Sequence, residues 1–303
     1  MRRVSNWAAL ALVCGMTVAA MAAEDKSTYT DPADAGPDFA VQGEYLGNRG
    51  DEKLGAQVVA LGDGKFDAVL YPGGLPGGGW DGKTKIMLKG EIKDGATHFT
   101  GDKYTGEIKG AAFTGSGDSK AFDLKKIERR SPTAEAKPPE GAIVLFDGSS
   151  LDHWEGGKLQ DGKLLGVGTQ TKEKFRDYTL HLEFRTPFMP KARGQGRGNS
   201  GLYLNGQYEC QILDSFGLSG ENNECGGIYQ IAKPIVNMCL PPLSWQTYDV
   251  EMVGAKYEDG KKVADAVVTI RQNGVVIHDK LKLPKNTPGG PVGDEAKAGP
   301  IYL

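Results

Sequence analysis

Histidine and cysteine are scarce, at four each in 303 residues. His98, His153, His181 and His278 lie far apart. No His-x-His, His-Glu-x-x-His or EF-hand spacing joins them to carboxylates, which leaves a zinc site weakly supported. Gly-x-Ser-x-Gly, Walker and dinucleotide fingerprints are also missing from any strand–helix context, so no nucleotide cofactor is expected. Helical periodicity of useful length is absent beyond the N-terminal segment, which argues against helical bundles and α/β folds. Neither sign of charge dominates. The formal net charge is −3, and it gives no reason to expect nucleic acid or an anionic membrane as partner.

The N-terminus carries the one notable apolar run. A basic "MRR", the core "WAALALVCGMTVAA" and a small-residue "AMAA" read together as a signal peptide over residues 1–23. The run is short for a stable membrane span. Export to a periplasmic or extracellular location is therefore expected, and with it an oxidising compartment. Removing the peptide takes away Arg2 and Arg3, which leaves 34 basic against 39 acidic residues, a balance of −5. Three cysteines remain, an odd number. Cys225 and Cys239 sit in turn-rich sequence and are expected to pair as a disulfide, with Cys210 a buried free thiol.

Glycine is abundant, at 44 residues. With many short alternating runs it points to an all-β protein in two parts. Residues 41–128 alternate strands with Gly turns, as in "AQVVALGDGKFDAVLY", and form a small β-domain resembling a meander. "RRSPTAEAKPPEG", residues 129–141, is charged and Pro-rich and reads as a linker. Residues 142–303 hold the strands "YTLHLEFRTP", "SGLYLNGQYECQILDS", "WQTYDVEMVGAKYEDGK" and "DAVVTIRQNGVVIHDKLKL", a pattern for a sandwich or jelly roll. The chain stops within the alternating "GPIYL", as a truncated domain would.

The stretch "YECQILDSFG", residues 208–217, writes two acids and an amide into a strand. Alternation puts Glu209 and Gln211 on one face, with Cys210 and Ile212 on the other. A bulge near Ile212 and Leu213 would bring Asp214 to the Glu209 face; without one, Asp214 starts the following turn. Nearby strands add His181, Glu183 and Arg185 on one face, and Asn199, Tyr229, Asn237 and Trp245 in adjoining segments. Carboxylates, amides and aromatics together suit a sugar, which needs hydrogen bonds for its hydroxyls and an apolar platform for its C–H faces. A divalent metal cation on carboxylate oxygens is a further possibility; its identity is left open.

The motifs "LFDGSSLDHW", "LEFRTP", "RGNSGLYL", "YECQILDS", "CGGIY", "VNMCLPPLSWQTYDV" and "VTIRQNGVVIHD" together resemble the 3-keto-disaccharide hydrolase family. The resemblance covers about half the chain. It implies a concanavalin A-like jelly roll over residues 142–303, preceded by an accessory β-domain. It also implies action on oligosaccharides or glycosides oxidised at C3. The family's usual continuation, an Asp-His pair and an Arg-Asn strand, is missing after "GPIYL". For such chemistry Glu209 or Asp214 is the expected base, with Glu183 and His181 as further candidates. Asn199, Arg185 or a cation would hold the enolate oxygen, and Gln211, Tyr229, Asn237 and Trp245 would contact substrate. Two alternatives stand beside it. One is direct glycoside hydrolysis of laminarinase type, for which Gln211 and the short Asp214 depart from Glu-x-Asp-x-x-Glu. The other is a non-catalytic sugar-binding module.

Overall fold

A computed structural model describes residues 28–303. Asp31 caps a short 3-10 turn through the amide of Ala33, and the chain then makes one six-residue helix, α1 (Gly36–Val41). Eight strands follow: β1 (Gly43–Arg49), β2 (Glu52–Gly62), β3 (Lys65–Pro72), β4 (Ile86–Lys93), β5 (Ala96–Thr100), β6 (Tyr104–Lys109), β7 (Ala112–Gly117) and β8 (Lys120–Ile127). Each pairs antiparallel with the next, and β8 returns to β1 through Glu44↔Ile127 to Arg49↔Phe122. The expected meander is thus a closed barrel, which leaves no free sheet edge. Alternation fills its interior with Tyr45, Val58, Phe66, Leu70, Phe99, Phe113 and Leu124. Phe113 packs between Phe99 and Phe122 at centroid distances of 5.0 and 5.4 Å.

The second part is a β-sandwich. Its strands are β9 (Trp154–Glu155), β10 (Leu159–Gln160), β11 (Leu164–Leu165), β12 (Gln170–Thr171), β13 (Tyr178–Phe184), β14 (Ser200–Leu204), β15 (Tyr208–Ile212), β16 (Gln246–Val253), β17 (Lys256–Glu258), β18 (Lys261–Ala264), β19 (Ala266–Gln272) and β20 (Val275–Leu283). One sheet runs β13-β16-β19-β20. The other is stitched from short pieces. Tyr302 bridges Gln170 of β12 and Tyr203 of β14, and Ile228 bridges Cys210 of β15. Its order is therefore β9, β12, residues 301–303, β14, β15 and the segment at Ile228. "GPIYL" supplies an inner strand of this sheet. Leu202, Leu204, Cys210 and Ile228 from this sheet face Tyr248, Val250, Val268 and Ile270 from the other across one buried core. Burying each such side chain contributes about 1.5–3 kcal/mol, which explains why alternation is strict here.

Residues 129–135 do more than link. Arg129 forks onto the buried Glu44 carboxylate at 2.6 and 2.5 Å, and Gln57 completes the shell. Ser131 and Thr133 then bind Thr247 at 2.6 and 3.0 Å, Thr133 donates to Asp249 at 2.8 Å, and the amide of Glu135 donates to Glu183. The segment expected as a spacer is a strap across the outward face of the β13 sheet. The barrel and sandwich also exchange core residues: Val59 of β2 packs into the sandwich core, and Phe188 and Leu243 pack into the barrel core.

The cysteine expectation needs correction. Cys210, Cys225 and Cys239 are all buried free thiols. Cys225 Sγ lies 3.3 Å from the Tyr248 hydroxyl and takes a hydrogen bond from Gln272, while Cys239 points at the Leu213 and Leu240 carbonyls. Cys225 and Cys239 lie beside each other as thiols, not joined in a disulfide. The expected signal peptide falls outside the described residues. Among those described, no helix is long and apolar enough to cross a membrane.

Candidate functional site

β14 and β15 form a tight pair, with Tyr203 opposite Glu209 and Gly201 opposite Gln211. Directly opposed residues share a face. Cys210 and Ile212 turn into the core, so Glu209 and Gln211 turn outward, as alternation requires. The Glu209 side chain lies across Gly201, where any Cβ would collide with the carboxylate. That position excludes every residue but glycine while Glu209 keeps this pose.

Glu209 is 8 % exposed. Burial pushes its carboxyl above the ordinary range, opposed in part by a hydrogen bond from Tyr203. Burial also raises the Tyr203 phenol, and the neighbouring Glu209, Tyr302 and Tyr229 raise it further, so Tyr203 keeps its proton. The Tyr203 hydroxyl reaches the Pro288 carbonyl at 3.1 Å, and Gly289, at φ +84°, leaves room for it. Thr287 Oγ1 accepts from the Glu209 amide at 2.8 Å, and the Tyr229 amide donates to the Glu209 carbonyl at 3.1 Å. Tyr203 and Tyr302 stack obliquely with centroids 5.4 Å apart. Gln211 Nε2 donates to Gln195 at 3.0 Å; Gln195 also receives Asn199 at 3.3 Å and donates to the Asn223 carbonyl at 2.7 Å. One buried, proton-hungry carboxylate thus sits among three tyrosines, with Gln211 next along its strand face.

The other sequence candidates lie elsewhere. The strand pairing ends at Ile212 with no register shift, so no bulge brings Asp214 round to Glu209. Asp214 is 2 % exposed, with Oδ2 held by Arg197 Nε at 2.6 Å and Oδ1 taking the Phe216 amide at 3.3 Å. Arg197 in turn donates to the Ala60 carbonyl of the barrel at 3.3 Å. Burial raises the Asp214 carboxyl and Arg197 opposes that. A carboxylate so enclosed anchors the turn to the barrel and has no open path to a substrate. His181 and Glu183 stand on the outward face of β13, in the opposite sheet. His181 Nδ1 meets Asp249 at 2.6 Å and Nε2 meets Glu183 at 3.2 Å. Burial alone would lower the His181 pKa, but these two carboxylates outweigh it and raise it.

Asn237 is buried within a turn, donating to the Ser215 and Leu218 carbonyls and accepting from the Cys239 amide. That bonding saturates it and removes it from substrate contact. Arg185 stacks over the exposed Trp245 ring at 5.6 Å and bonds the Thr30 carbonyl. Both line a cleft of about 1980 Å³ along the β13 edge, and His181, Glu183 and Asn199 line it with them, so five of the sequence candidates converge there. Glu209 does not line this cleft. Size and chemistry therefore disagree, and the carboxylate environment is the better guide because a base must have a perturbed, positioned proton site. Among the described residues no three of His, Cys, Asp or Glu converge to hold a metal ion. Tyr203 and Tyr302 were missed in the sequence because alternating strand aromatics look like ordinary packing; the pairing of Tyr203 with Glu209 is visible only in register.

Residues 141–303 match the family described as the 3-keto-alpha-glucoside-1,2-lyase-like domain. The match spans more than half of the chain, and the chain belongs to that family. By that family's name it is a carbohydrate-active protein. A solved chain from Parabacteroides distasonis, named a "putative glycosyl hydrolase", is similar at 33% identity, over 54% of this chain and 75% of that one, with a TM-score of 0.48. A second of the same name and organism has 18% identity, over 52% and 84%, with a TM-score of 0.37. No curated protein matches the chain.

Proposed function

We propose that this protein cleaves glycosides bearing a ketone at C3, with Glu209 as base. The ketone acidifies the C2 proton, because the resulting carbanion delocalises onto the C3 oxygen. Glu209 takes that proton; the C2–H electrons form the C1–C2 double bond, and the C1–O bond to the aglycone breaks. The departing oxygen takes up one proton. Water then adds at C1 of the enone while C2 regains a proton, so one water is consumed and the net change is hydrolysis. A carboxylate raised by burial suits the first step, since its affinity for a carbon-bound proton is greater than that of a solvated one. Tyr203, which keeps its proton, would have to turn its hydroxyl from the Pro288 carbonyl to donate toward oxygen as charge develops. Gln211, sealed by Gln195 and the Ile212 amide, braces the strand beneath the site rather than meeting the sugar.

The observation that carries this reading is the isolation of Glu209. Direct hydrolysis commonly uses two carboxyl groups about 5 to 9.5 Å apart across the bond. Here Gln211 occupies the neighbouring position and Asp214 is sealed by Arg197. Elimination needs a single base and fits that arrangement. The test is aglycone release from a 3-keto-glucoside, its C2-deuterated form and the unoxidised glucoside. Release confined to the keto sugar and slowed by deuterium at C2 is expected. Equal release from keto and unoxidised glucosides, with no isotope effect, would replace elimination by direct hydrolysis.

A further inference from the structure

The outward face of the Glu209 sheet continues well beyond the tyrosines. Following the register across the strands, Glu209 stands opposite Tyr203, Tyr203 bridges Tyr302, Tyr302 bridges Gln170, and Gln170 pairs with Glu155. All five point to the same side, because opposed residues share a face. Their alternates, Trp154, Thr171, Ile301, Leu202 and Cys210, are all buried. The five form one transverse row, four strand spacings long. At about 4.8 Å per spacing, the row extends about 19 Å from Glu209 to Glu155.

The far end of this row is built differently from an ordinary wet strand. Gln170 Nε2 donates to Glu155 Oε2 at 2.8 Å. Among the described residues, these two side chains hydrogen-bond only each other. The pairing fixes the amide plane and presents Gln170 Oε1, the second amide hydrogen and the remaining carboxylate oxygen side by side. An array of acceptors beside a donor matches adjacent hydroxyls of a pyranose. Between this pair and Glu209 lie the Tyr203 and Tyr302 rings, tilted 55° to one another, with Tyr203 partly covered by residues 288–290; the exposed ring edges offer apolar surface to C–H faces.

We propose that Gln170 and Glu155 form a distal subsite, and that the protein takes an extended neutral oligosaccharide lying across the strands rather than a disaccharide alone. At roughly one ring per strand spacing, the row holds about four sugar units. The aglycone side of the substrate is then a glycan that the protein grips about 19 Å from the bond it breaks. This rests on Glu209 marking the reacting end of the row.

The test uses the full chain carrying Glu209→Gln, titrated calorimetrically with gluco-oligosaccharides of two to five units, C3-oxidised at the non-reducing end and unoxidised. Aglycone release by the unsubstituted protein is measured in parallel. Affinity is expected to rise about tenfold between two and four units, and Gln170→Ala in the same background should bring the ratio of the two dissociation constants close to one. Glu155→Gln, which keeps the shape and the hydrogen bond, should retain most of the gain. Affinity independent of length, absence of binding at every length, or a gain that survives Gln170→Ala would each overturn the subsite. Release from the keto sugar with length-independent binding would remove the subsite and leave the Glu209 chemistry standing. Length-dependent binding without release would do the reverse.

Discussion

The sandwich turns two polar rows outward, one from each sheet. On the β13 sheet His181, Asp249 and Arg271 stand side by side, with Glu183 next along the strand. On the other sheet Glu209, Tyr203 and Tyr302 do. In sequence the two look alike, since both are strands with an acid and other polar side chains on the outward alternation. In space they have opposite fates. The His181 row is consumed internally: the imidazole is held between two carboxylates, and the strap at residues 131–135 takes up what remains. Among the described residues, Glu209 has no cationic partner and lies against tyrosines. A polar strand face becomes a reactive site when its charge is left uncompensated, and becomes architecture when it is paired.

The largest stability effect is expected at the acid that lies closest in sequence to Glu209. Asp214→Ala leaves Arg197 buried without its counter-charge and should cost about 3–5 kcal/mol, read by urea denaturation. The rate per folded molecule should change much less than with Glu209→Gln. If Asp214→Ala instead kept its stability and lost turnover, the division between the two acids would be reversed. Glu209→Gln should move stability the other way. A carboxyl with a raised folded pKa binds more protons folded than unfolded, so its ionisation removes stability as pH rises from the unfolded value to the folded one. At neutral pH the Gln variant should therefore be at least as stable as the parent.

Smaller effects separate the strap from the site. Thr133→Val removes one hydrogen bond to Asp249 and should cost about 1 kcal/mol, with faster amide exchange through residues 131–135 and no change in turnover. The least is expected from pH at His181. Its folded pKa is raised, so its contribution is fully present below the unfolded value and is lost as pH rises through the folded one. Comparing His181→Gln with the parent across that window should show the difference in stability shrinking toward alkaline pH. A difference that grows with pH would contradict the carboxylate clamp on His181.

The all-β class and the sandwich were legible because period-2 alternation reports directly on which side chains are buried. Glu209 and Gln211 sharing a face followed from the same rule. Barrel closure was not legible, since the β1–β8 pairing joins residues that no local pattern relates. Asp214 was ambiguous for a local reason: whether a strand bulges or ends at Ile212 depends on the Arg197 pair and on the barrel carbonyl behind it. The Cys225–Cys239 pairing read from turn-rich sequence brought the two together correctly in space, but both remain buried free thiols. Tyr302 was invisible as a site residue because its place beside Tyr203 comes from a long-range bridge.

The most direct measurement is the rate of aglycone release from a 3-keto-glucoside by the parent protein and by Glu209→Gln, with folding of both checked by denaturation. A loss of at least about a hundredfold with stability intact is the predicted result. A variant that keeps its rate would show that the proton leaves C2 by another group, and the central assignment would fall.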